Sequence, residues 1–355
     1  MKKSLLILSF FIFTYCLSGC DGGFTQVDQK FTRNSFIEQR TLSGTKLDLG
    51  TVLAPIQIFF YDSLLFISAE GLDKVVSVYN RNNNYKMIGG IISRGMGPDE
   101  LTSVARMDFN PDKTFWAHDI VAGQLKKFEL VITPDTSFVI ANGHEQLRYP
   151  VMNAFLVKSG MIGTTTQDIM PLKRFYIYDS LGNRKEAGDY PKYKREIPPT
   201  ALVEVFNGWA SLKPSKDRFV LGYEYTDLIE IYNGEFELIK RIQGPDNFLP
   251  EFDLKQRGNS IAMMRRYDKT KYAYQAVASS DSLIFLLYDN GETISKDEDQ
   301  DEASQFKTIV VIDWEGRPLS LYQLDHSIIS VCVDWHRRVI YGLDRIESEV
   351  YAFPF

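Results

Sequence analysis

The stretch from Asp62 to Asn83 reads DSLLFISAEGLDKVVSVYNRNN. Two apolar runs, LLFIS and VVSVY, flank a polar loop, and the closing asparagines favour a turn. A lone hairpin of this kind cannot bury its faces and is marginal in water. The chain instead repeats it. PDKTFWAHDIVAGQLKKFEL runs from Pro111 to Leu130, KSGMIGTTTQDIMPLKRFYIYDSLGN starts at Lys158, and SKDRFVLGYEYTDLIEIYNGEF starts at Ser215. SDSLIFLLYDNGE from Ser280 resumes at FKTIVVIDWEG, and WHRRVIYGLDRIESEVYAFPF from Trp335 is the sixth copy. The spacing matches propeller blades with insertions and predicts an all-β, six-bladed β-propeller over residues 34–355.

Before the phrases lie apolar strands suited to line a centre, such as APIQIFF from Ala54, SVARMDF from Ser103 and SIISVCVDW from Ser327. After them, DSLGN, YNGEF and DWEGR supply the left-handed backbone positions of hairpins that lead into a fourth strand. Long capped amphipathic helical stretches are absent, which argues against a parallel α/β fold. The sixth copy stops at Phe355, directly after its third strand. An open ring exposes an edge, so the missing strand of blade six is expected from the N-terminus, within FIEQRTLSGTKLDL from Phe36 to Leu49.

The first residues, MKKSLLILSFFIFTYCLSGC, place Lys2 and Lys3 before an apolar run from Leu5 to Leu17 that is too short to span a bilayer. Residues 1–19 read as a signal peptide and 20–33 as a lipidated cysteine with its tether. LSGC, from Leu17 to Cys20, resembles a bacterial lipobox, which implies acyl chains such as palmitate on Cys20 and a membrane anchor. Cys16 leaves with the signal, so Cys332 is alone and no intramolecular disulfide is expected. Without Lys2 and Lys3, 38 basic residues face 46 acids, a net charge of −8 that argues against nucleic acid as a partner.

SRGMGPDEL, from Ser93 to Leu101, has glycines but fits neither a Walker loop nor a GxGxxG turn. Its arginine, glycine, proline and aspartate recur in RIQGPDNF from Arg241, and Gly97 and Gly244 stand 147 residues apart, three blades of about 49. Both stretches are therefore expected on one propeller face, after a fourth strand. The lipobox, six blades and GPGE-like turn make the chain similar to the TolB-like six-bladed β-propeller lipoproteins of Gram-negative bacteria, with Asp99 where that family usually has glycine. The resemblance implies an envelope location, with the outer membrane as the expected address and the leaflet open, and a binding or scaffolding role.

A turn needs its glycine and proline but not the charges beside them. Arg94, Asp99, Glu100, Arg241 and Asp246, with His118 and Asp119, are therefore candidates for a binding face. Acids in the loops joining second to third strands, Asp73, Asp168, Asp227, Asp289 and Asp344, are the candidates for a channel Ca²⁺ site. No cofactor is otherwise expected. KDEDQDE, from Lys296 to Glu302, reads as a solvated insertion. There is no GxSxG, HExxH or CxxC. The leading expectation is a noncatalytic cell-envelope lipoprotein binding a protein, peptide or glycan. The alternative is a metal-dependent hydrolase or lyase using the channel acids.

Overall fold

Every copy of the phrase forms the second and third strands of an antiparallel blade. The computed structural model describes residues 24, 26–133, 136–147, 151–166, 173–267, 269–289 and 306–355. Cys20, Asp168 and the KDEDQDE run lie outside the described residues. Blade one consists of Pro55–Tyr61, Leu64–Ala69, Lys74–Asn80 and Lys86–Arg94, and blade two of Arg106–Phe109, Thr114–Asp119, Gln124–Ile132 and Ser137–Gln146. Blade three runs through Ala154–Leu156, Ile162–Thr165, Phe175–Tyr178 and Arg184–Ala187, and blade four through Gly208–Leu212, Arg218–Tyr223, Leu228–Asn233 and Leu238–Gln243. Tyr274–Ser279, Leu283–Tyr288, Thr308–Asp313 and Pro318–Leu324 make blade five. Blade six has three strands of its own: Ser330–Asp334, Val339–Asp344 and Glu349–Pro354.

The expected closure is present. Thr45–Lys46 pairs antiparallel with Ala352 and Tyr351 and supplies the outer strand of blade six. The same N-terminal segment also does more than close the ring. Glu38–Leu42 lies parallel along the outer strand of blade five, and Gln29–Lys30 lies parallel along that of blade four. Ahead of these strands the chain is already bonded to blade four at Asp28, where its N–H donates to the Arg241 carbonyl at 2.9 Å.

Second strands are apolar on both sides because each blade is covered by two neighbours; all of Leu64–Ala69 is buried. The core is accordingly a set of layers between blades. Phe155, Phe175, Phe219 and Tyr232 pack between blades three and four, with Phe219 and Tyr232 stacked at 5.0 Å. Phe285 and Leu287 of blade five pack in the same way against Ile340 and Phe353 of blade six. Polar side chains bridge the innermost strands. Arg106 Nη1 of blade two donates to the Ala210 carbonyl of blade four at 2.8 Å, while its other nitrogens hold Asp108.

Two elements interrupt the repeat on the face where second strands meet third and outer strands lead to the next blade. A helix, Pro199–Val205, precedes blade four, and a hairpin, Phe252–Arg257 with Ser260–Arg265, precedes blade five.

Candidate functional site

The helix and the hairpin enclose a cleft on that face. Pro199 at the helix start suits a first-turn position that needs no N–H donor. Thr200 and Glu204 stand one helical turn apart, close to the spacing of alternate residues in a strand. Both therefore reach the same hairpin strand: Thr200 Oγ1 donates to the Ile261 carbonyl at 2.6 Å, and Glu204 Oε2 accepts the Met263 N–H at 2.5 Å.

The space between them has a volume of about 540 Å³. Val203, Met152, Met263 and Met264 supply apolar walls, Tyr225 and Tyr267 supply rings, and Arg257 and Arg265 bring positive charge. Methionine thioethers fit irregular apolar shapes. The floor is polar and fixed: Asn207 Nδ2 donates to Glu224 Oε2 at 2.5 Å, and Arg265 Nη1 donates to the Tyr272 hydroxyl at 2.5 Å. Burial pushes the Glu224 carboxyl up, against the opposing pull of its bonds to Asn207 and Tyr225. Burial also raises the Tyr225 phenol, which stays a neutral hydrogen-bonding group. The cleft thus offers apolar contact beside a preformed polar floor, the composition of a recognition site.

The residues singled out in the sequence lie elsewhere. Arg94 is exposed and its Nε donates to the Leu72 carbonyl at 3.1 Å; Asp99 is exposed beside it. Glu100 Oε2 accepts the Gly97 N–H at 2.8 Å and closes its own turn. The partner that holds this turn is Lys126 of blade two, whose buried ammonium donates to the carbonyls of Gly97 at 2.6 Å and Glu100 at 2.7 Å. Asp119 is buried, and its carboxylate accepts from the Thr102 and Ser103 backbone and hydroxyls and from the N–H groups of Val121 and Ala122.

Arg241 is not a rim residue. It is buried, with Nε 2.6 Å from Glu230 Oε1, and Glu230 also accepts the hydroxyls of Tyr223 and Tyr232 at 2.5 Å each. Asp246 is engaged by Arg33, at 2.8 Å from both Nε and Nη2, and by the Tyr288 hydroxyl at 2.8 Å. His118 is not on a loop either. It lies inside blade two with no exposure, neither ring nitrogen has a hydrogen-bond partner, and burial lowers its pKa to about 4. A neutral imidazole packed in a sheet is not placed to move a substrate proton.

Among the described residues, the four candidate calcium acids do not converge. Asp227 is buried and accepts the N–H groups of Asp246, Asn247 and Phe248, while Asp344 accepts those of Ile346 and Glu347 in its own turn. Asp73 is exposed on blade one and Asp289 is buried in blade five. Among the described residues, no three His, Cys, Asp or Glu side chains form a group able to hold a metal ion. Cys332 is buried and its thiol is pushed up by burial, as expected of a small core residue.

The six-fold repeat leaves the cleft residues unassigned, since helix and hairpin each occur once among the described residues. Local signals for both exist. The proline pair Pro198–Pro199 marks a helix start, and RGNS, from Arg257 to Ser260, separates two runs of similar length as a hairpin turn does.

Comparison with known proteins gives a family match. The model of the TolB-like 6-blade propeller-like family matches residues 34–336. No curated protein sequence matches the chain. Among solved structures, a Bacteroides fragilis protein named as an exported protein superposes with a TM-score of 0.52 at 14% identity, over 92% of this chain and 98% of that one. A member of the DUF4221 family from Bacteroides vulgatus superposes with a TM-score of 0.53 at 12% identity, over 89% and 96% of the two chains. At such identities these two structures share the propeller architecture.

Proposed function

Since the chain belongs to the TolB-like six-bladed propeller family, we propose that it is a noncatalytic lipoprotein of the cell envelope, anchored through Cys20, that recognises a partner in the cleft between the helix and the hairpin. The observation that supports this most is the pair of insertions itself. A ring needs neither element to close, yet the two are bonded to each other and enclose a cleft with a fixed polar floor. Thioether walls and flanking arginines suit an extended peptide segment that carries a bulky apolar residue next to an acid. A protein or peptide partner fits this lining better than a glycan, which calls for broad flat aromatic platforms. The lipobox reading and the family support an envelope location, with the outer membrane as its proposed address.

Peptides selected against the Cys20→Ala chain are expected to share that apolar and acidic pairing. Their affinity should fall about tenfold or more in Met264→Glu and in Arg257→Glu, and stay unchanged in Arg94→Ala. Binding indifferent to both cleft changes would refute the reading, as would hydrolase or lyase turnover that disappears with them.

A further inference from the structure

We propose that the cleft-bearing face lies against an anionic membrane surface, with the ring held there on the side of blades three and four. The proposal rests on the Cys20 anchor and begins from a length of chain. Phe24 is buried at the roots of the two insertions, with its ring 5.7 Å from Tyr193 and 6.2 Å from Phe206, the residue that ends the helix. It stands four positions after Cys20, and four residues span at most about 14 Å when fully extended. A lipid on Cys20 therefore enters the bilayer next to this face, and a long swinging tether is excluded.

The surface around Phe24 is basic in a chain whose net charge is −6. From Glu251 to Tyr272 the sequence has six basic and three acidic residues, and Lys192, Lys194 and Arg195 stand against Glu196. Tyr193 donates to the Pro250 carbonyl at 3.0 Å, and Arg195 Nη1 donates to that of Phe252 at 3.2 Å, so the two segments form one patch. Lys192, Lys194 and Lys255 are exposed on it. The far side of the same face is mixed, with Asp73, Asp99 and Glu347 exposed alongside Lys74, Arg94 and Arg345 in blades one and six. The excess of base on one side alone tilts the ring, with the side of blades three and four toward anionic headgroups. A partner reaching the cleft must then itself lie at the membrane surface.

Two introduced cysteines test this in the full lipidated chain reconstituted into phosphatidylglycerol-containing vesicles, since Cys332 is buried. Gln256→Cys labels the exposed hairpin, and Leu181→Cys labels the turn between third and fourth strands of blade three, on the opposite face. A fluorophore at 256 is expected to be quenched severalfold more than one at 181 by a headgroup-bound quencher. Equal quenching, or stronger quenching at 181, overturns the proposal. Failure of the anchor reads out separately, as full recovery of Cys20→Ala in the membrane fraction of cells after a high-salt wash that screens the basic surface. The surface is then tested on that unlipidated chain by co-sedimentation with the same vesicles. Reversal of Lys192, Lys194 and Lys255 to Glu is expected to lower binding about tenfold or more, and an unchanged partition overturns the proposal.

Discussion

The Gly-Pro-Asp loops of blades one and four stand at matching places three blades apart, and they are completed in different ways. In blade one the chain turns back on itself: Ser93 and Arg94 pair in parallel with Glu100 and Leu101, so the loop supplies its own fifth strand. In blade four the corresponding fifth strand, Gln29–Lys30, comes from the N-terminal segment. Aligning Lys74 and Ser93 with Leu228 and Gln243, the equivalent ladder pairs, shows a second contrast beneath the loops. Where blade one buries the apolar pair Val76 and Ile91, blade four buries Glu230 and Arg241. The backbone N–H of that arginine donates to Asp28 Oδ2 at 2.8 Å. One short motif thus serves a self-contained turn in one blade and a docking point for distant chain in another.

The largest expected effect comes from making blade four resemble blade one by halves. Glu230→Val leaves a buried guanidinium uncompensated and should cost about 3–5 kcal/mol in urea unfolding. The double change Glu230→Val with Arg241→Ile should recover more than half of that loss, with a remainder from the stranded hydroxyls of Tyr223 and Tyr232. A double variant as unstable as the single would show that the ion pair itself, and not its desolvation, dominates.

The loop glycines should differ next. Both have φ near the limit that side chains tolerate, 155° at Gly95 and 156° at Gly244. An added Cβ at Gly244 would lie 2.5 Å from the Phe31 carbonyl oxygen, which belongs to a docked backbone, whereas at Gly95 it would meet only a side chain, the Glu100 carboxylate that closes the turn. Gly244→Ala is expected to cost about 2–3 kcal/mol and Gly95→Ala about 1 kcal/mol. Hydrogen exchange at residues 28–31 should accelerate in the first variant alone.

The smallest effect separates the carboxylates that organise the two loops. Burial raises Asp227 to about 7, with the Asp246 charge adding to it, whereas Asp119 is lowered because its hydrogen bonds outweigh burial. With its folded pKa above the unfolded value, Asp227 holds its proton better in the folded state, so its contribution falls as pH rises from about 4 to about 7. Asp119 acts with the opposite sign: its contribution is present at neutral pH and is lost as pH falls through its folded pKa. Asp227→Asn should flatten the first slope, read from unfolding curves between about pH 4 and about pH 7, and Asp119→Asn the second, read from curves taken below about pH 4. Identical slopes in the two variants would erase the distinction between the loops.

These contrasts also mark how far the sequence could be read. Strands were legible because alternation and turn residues repeat six times, and the closure followed from a blade short of one strand. Side-chain direction was not legible where alternation fails. LIKRIQ, from Leu238 to Gln243, offers no pattern that turns Arg241 inward, and only its ladder partner Glu230 does so. His118 sits one residue before a loop, so proximity along the chain suggested exposure where the strand in fact continues through Asp119. The cleft escaped for a different reason, since a helix and a hairpin that occur once cannot be recovered from periodicity.

The ring is sealed by residues from opposite ends of the chain, Thr45 with Ala352, and this imposes a timetable on folding. Blades one to three can form from local hairpins as they are made, but the three docking strands between Gln29 and Lys46 have no partners until blades four, five and six exist. Made before any blade, this segment cannot complete its pairing until blade six has followed it.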